Sequence, residues 1–106
     1  MLVRLYDVAH SRAGDKGVHV TLSLIPYAAT WYPTLQRHVT AGWVHEQLAD
    51  LLPHGVVRHE LPNLPALLFV GQRPVSSGVT TSLALDTHGK SLSYALLDLT
   101  LDLPEP

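Results

Sequence analysis

The feature that most constrains this chain is a change of hydrophobic period along its length. Val18, Val20, Leu22 and Leu24 recur at every second residue up to Pro26, the pattern of a strand buried on one face. Val44, Leu48, Leu51 and Leu52 then recur at helical spacing up to Pro53, with Glu46, Gln47 and Asp50 on the wet side. Period two returns over residues 56–61, where Val57, His59 and Leu61 oppose Val56, Arg58 and Glu60. One element cannot hold both periods, so strands and helices are separate segments that bury their apolar faces against each other as layers.

The remaining segments fit that scheme. Leu2, Arg4 and Tyr6 alternate with Val3, Leu5 and Asp7, which predicts a first strand over residues 2–8. Residues 10–17 then read as a polar loop. Residues 27–39 predict a helix in two parts, because Pro33 lacks an N–H and sits best in a first helical turn, and Thr40 reads as the N-cap of the next helix. His54-Gly55 is a turn, residues 62–65 a stiff connector and residues 66–70 a continuous apolar run suited to an interior strand. A loop over 71–78, a strand over 79–85 and a turn over 86–90 follow. Leu92, Ala95, Leu96 and Leu99 predict a short last helix, and Leu97, Leu99, Leu101 and Leu103 alternate with polar residues as a last strand. The whole reads as one domain over residues 1–103 with a tail at 104–106.

Composition narrows the function classes. A chain of 106 residues supports a single core, and with 46% hydrophobic against 15% charged residues it has enough apolar surface to fold. Seven Lys+Arg against nine Asp+Glu give a formal charge of -2, without the basic stripe that a phosphate backbone demands, so no nucleic acid is expected. The absence of cysteine removes disulfides, thiol nucleophiles and thiolate-bound zinc. No apolar run reaches the ~20 residues of a membrane span, so no membrane partner is expected and the cytoplasm is the default location. Low charge density, with Trp31, Tyr32 and Trp43 in the helical region, predicts a homo-oligomer with those aromatics in the core or an interface.

Chemistry-bearing motifs are few. Ser11-Arg12-Ala13-Gly14-Asp15-Lys16-Gly17 is the densest polar stretch: glycines at 14 and 17 let amides turn inward as an anion nest, and Arg12 and Lys16 supply charge. The candidate ligand site is therefore His10, Arg12, Gly14, Asp15, Lys16 and Gly17, joined by Asp86 and Lys90 if the 86–90 turn converges on it. The competing reading is a tight turn in which Asp15 pairs with Arg12 or Lys16. Residues 84–91 formally match a loose nucleotide-loop pattern, but Ala84 still belongs to the alternating run before it and too little chain follows for a parallel sheet. Seven histidines invite a metal, yet His45-Glu46 has Ala49 where a zinc helix needs its second histidine, and His38/His45 and His54/His59 give no i,i+4 pair. His10 and His19 bracket the glycine stretch and are candidates to meet as a base or ligand pair with Asp15. No metal and no cofactor are expected, and no nucleophile elbow occurs.

Four ordered blocks carry a family resemblance: residues 9–17 (AHSRAGDKG), residues 35–44 around Thr40, residues 60–67 (ELPNLPAL) and residues 82–90 (SLALDTHGK). In them the chain resembles the AtuA-like family, named for acyclic terpene utilisation, in its small ferredoxin-like domain. It departs from the family pattern at Ala13, Val18 and Thr21, where the family tends to have Ser before Gly-Asp-Lys-Gly and Asn shortly after it. The resemblance implies an α+β, two-layer ferredoxin-like sandwich, a largely antiparallel sheet with helices on one face. It also implies a role near acyl-CoA or terpenoid catabolism. The expected function is an accessory or assembly domain without independent catalysis, associating with itself or with an acyl-CoA-metabolising protein; the alternative is an acyl-CoA or carboxylate site, or an enzymatic site, at the Gly-Asp-Lys-Gly stretch.

Overall fold

The computed structural model describes residues 1–61, 63–72 and 89–106, with the backbone alone at 89–91. Along them run β1 (Leu2–Arg4), α1 (Leu5–Val8), β2 (Ala9–His10), β3 (Ala13–Lys16), β4 (His19–Pro26) and a 3-10 turn (Ala29–Trp31). Then come α2 (Tyr32–His38), α3 (Ala41–Gln47), β5 (Val56–Leu61), β6 (Ala66–Gln72), α4 (Gly89–Leu97) and β7 (Thr100–Asp102). The main sheet runs β5, β6, β4, with β2 and β3 following one another along the far edge of β4, and every pair is antiparallel. β1 and β7 form a separate antiparallel pair.

One face of this sheet makes the core. The alternation in β4 puts Val20, Leu22 and Leu24 at 2%, 1% and 0% exposure, and the register sets Phe69 opposite Leu22 and Leu67 opposite Leu24. Onto them pack Leu35 and Val39 at α2, Val44, Leu48 and Leu52 at α3, and Leu92 and Leu96 of α4. Full burial of each such side chain is worth about 1.5–3 kcal/mol. This is the α+β arrangement of antiparallel sheet and helices.

Local chemistry sets the helix ends. Pro33 stands in the first turn of α2, and the Thr40 hydroxyl accepts from the Trp43 N–H at 3.1 Å to cap α3, both as the sequence predicts. The C-terminus of α2 is closed from the sheet: Arg58 Nη1 donates to the carbonyls of Gln36 at 2.6 Å and Val39 at 2.9 Å. A helix leaves its last carbonyls without intrahelical partners, and a cation there also complements the dipole. Trp31, Tyr32 and Trp43 are half-buried against the core.

Five expectations are corrected. Residues 2–8 are not one strand, because α1 intervenes with Leu5 fully buried and its N–H donating to Leu99 O at 3.0 Å. That single helical turn carries the chain from the β1/β7 pair to the main sheet. Residues 13–16 are not loop but strand β3. α3 stops at Gln47, after which the Leu51 and Leu52 N–H groups both donate to Leu48 O, so tight turns keep Leu48 and Leu52 inside. β6 runs two residues further than expected, through Gly71 and Gln72. The last strand is shorter, Thr100–Asp102, and the expected strand over 79–85 and turn residues 86–88 lie outside the described residues. No helix among the described residues is long and apolar enough to cross a membrane.

Candidate functional site

The glycine stretch is the first half of a β-hairpin. Lys16 pairs with His19, leaving Gly17 and Val18 as a two-residue turn. Gly17 has φ 64° and Val18 has no positive φ, the pattern of a type II′ turn, whose twist suits a hairpin. Gly14 is different. Its φ is not positive, and it is glycine because an added Cβ would stand 2.9 Å from Thr21 Oγ1 on the neighbouring strand. At the upstream end of β3, the Arg12 N–H donates to the Ser23 hydroxyl at 2.9 Å while the Ser23 N–H donates to Arg12 O at 2.9 Å.

Residues opposite each other in an antiparallel pair share a face, so the register maps the sheet face away from the core as a series of rows. Lys16, His19 and Gln72 form the row at the hairpin end. Gly14, Thr21, Val70 and Val57 form the next. Ser23, Leu68 and His59 follow, and His10 stands opposite Ile25 at the other end. No described helix packs on this face: Ile25, Leu68 and Val70 are half-buried and Val57 is 58% exposed. The carboxylates alternate away from it, since Asp15 pairs with core residue Val20 and Glu60 with core residue Leu67. Its described ionisable groups on the paired strands are Lys16, His10, His19 and His59, all basic or imidazole.

At the hairpin end lies a crevice of about 420 Å³, lined by His19, His54, Gly55, Val56, Val57, Val70, Gly71 and Gln72. Gln72 Nε2 lies 3.4 Å from His19 Nε2.

The structure separates the residues that the sequence grouped. His10 and His19 do not meet: His10 pairs with Ile25, six steps along β4 from His19, which at ~3.3 Å per residue is roughly 20 Å. His10 instead stacks on Tyr27, ring centroids 5.4 Å apart. Asp15 faces the helical layer, away from Lys16 and His19. Gly17 is at the turn, Arg12 is exposed on the edge, Lys90 lies in α4 with its side chain outside the described residues, and Asp86 lies outside them altogether. Of the expected set, Lys16 and Gly14 stand in the two rows that border the crevice, and neither lines it. His19, weighed only as a partner for His10, and His54, Val57, Val70 and Gln72 were not among the expected site residues. The alternation did carry the signal for His19, because a two-residue turn at Gly17 forces it opposite Lys16. Among the described residues, no group of three or more His, Asp or Glu is placed to hold a metal.

An antiparallel sheet backed by helices on one face, with no described helix on the other, defines a small α+β domain. The family model described as the AtuA ferredoxin-like domain matches residues 3–102, and the chain belongs to that family. No curated protein and no solved structure matches it.

Proposed function

We propose that this is an accessory, assembly domain that seats another protein surface on its exposed sheet face. The first candidate is a second copy of the chain. The observation that carries the reading is the apolar stripe Val57, Val70, Leu68 and Ile25, half-buried or exposed on a sheet face that no described helix covers. A specific stable partner would cover on the order of 800 Å² per side. The family resemblance supports a setting in acyl-CoA or terpenoid catabolism, with an acyl-CoA-metabolising protein as the other candidate partner.

Light scattering over the micromolar range tests self-assembly. The expected result is a dimer or larger species that Val57→Lys converts to monomer with unchanged circular dichroism. A monomer at high micromolar concentration defeats the self-association reading, and an oligomer indifferent to Val57→Lys places the contact elsewhere.

A further inference from the structure

The geometry points to a second property of the same face: the crevice at its hairpin end binds a small organic anion with an apolar body. The head is held by His19, His54 and Gln72, with Lys16 beside His19 across the β3/β4 pair, and the body lies on Val57 and Val70. The site needs only one copy of the domain, and it shares Val57 and Val70 with the docking stripe, so a seated partner and the ligand compete for those two side chains.

Three observations combine. The crevice, at about 420 Å³, falls within the size range of small-ligand sites, toward its lower end. Its described polar lining consists of donor-capable groups: two imidazoles and the Gln72 amide, with the Lys16 ammonium in the same row beside His19. Neither carboxylate of β3 or β5 joins them, since strand alternation turns Asp15 and Glu60 to the other face. An anion entering there meets N–H donors, with the Lys16 cation beside His19 and no carboxylate among the described lining residues, and charge-assisted hydrogen bonds are about twice as strong as neutral ones.

The wall supplies the rest of the ligand class. Val57 and Val70 are paired neighbours on β5 and β6, and Thr21 and Leu68 continue the surface away from the polar row. A bare inorganic ion would leave that wall wet. A carboxylate with several methylenes covers it, at roughly 0.8 kcal/mol for each CH₂ fully buried. A metal is the poorer fit, because two histidines and an amide fall short of the ligand set that a protein zinc site requires.

Amide and imidazole NMR on the whole protein, titrated with hexanoate, hexanamide and inorganic phosphate, tests this. Hexanoate is expected to shift His19, His54, Val57, Val70 and Gln72 together in a saturable way, with hexanamide and phosphate each at least tenfold weaker. Lys16→Met and His54→Ala alter exposed side chains, so both proteins should fold normally and lose at least fivefold in hexanoate affinity. No saturable shift at 20 mM hexanoate overturns the proposal. Equal binding of hexanamide removes the anion head, and equal binding of phosphate removes the apolar body. Because both readings use Val57 and Val70, the titration is run at a concentration where light scattering shows monomer, so that failure to bind and failure to assemble are read separately.

Discussion

Arg58 offers the sharpest test of how the helical layer is held. It sits on the core face of β5 opposite Phe69, with its side chain 19% exposed, and Nη1 donates to the carbonyls of Gln36 and Val39 at the end of α2. Hydrogen bonds from a charged group are worth about 1.5–3 kcal/mol net, and losing the donor leaves carbonyls short of a partner. The two bonds share one nitrogen, so Arg58→Met is expected to cost about 2–3 kcal/mol rather than twice the single value. With a urea m-value of about 1.5 kcal/mol/M for a small domain, the unfolding midpoint falls by about 1.3–2 M. Arg58→Lys keeps the charge but not the planar fork and should lose about half as much. The neighbouring carboxylate is the control: Glu60 is 3.7 Å from Arg58 and its side chain is 39% exposed, so Glu60→Gln should change stability by less than about 0.5 kcal/mol. Urea melts of the three variants decide the matter. An Arg58→Met protein within 0.5 kcal/mol of the parent, or a Glu60→Gln protein as damaged as Arg58→Met, would refute the cap and make the residue an ordinary ion-pair partner.

Four further outcomes follow from single contacts. Gly17→Ala places a side chain at φ 64° and should cost about 1–2 kcal/mol in thermal unfolding, with a midpoint unchanged to within a degree counting against the type II′ turn. Gly14→Ala should cost about 1–3 kcal/mol through the Thr21 hydroxyl and be largely rescued by Thr21→Ala, so additive losses in the double mutant would exclude that clash. Thr40→Ala should lose about 1 kcal/mol and Thr40→Asn much less, as read by chemical denaturation. The Tyr32 hydroxyl is buried with no hydrogen-bond partner among the described residues, so Tyr32→Phe should be neutral or stabilising, and a loss above about 1 kcal/mol in the same assay would reveal a partner.

Strand and helix periods, Pro33 and Thr40 are local signals, and they survive folding because each acts within a few residues of itself. From them alone follow the separate strands and helices packed as layers, the placement of Val20, Leu22 and Leu24 inside, and the cap of α3, while the antiparallel sheet is what the family resemblance implies. The family blocks likewise lie in the order in which the chain is read. What local pattern does not encode is which strands become neighbours. Residues 2–8 alternate well enough for a strand, but Leu5 donates to Leu99 and its turn redirects the chain, a contact 94 positions away that only the assembled domain supplies. The glycine stretch reads as a loop because its residues are polar and small, yet as an edge strand it needs no apolar face of its own once β4 provides the ladder. The crevice is the clearest case. Lys16 and His19 are joined by a turn that the sequence displays, whereas Gln72 and His54 reach them only through the β4/β6 and β5/β6 registers, and a register is fixed by the packing of Phe69 and Leu67 on the far side of the sheet.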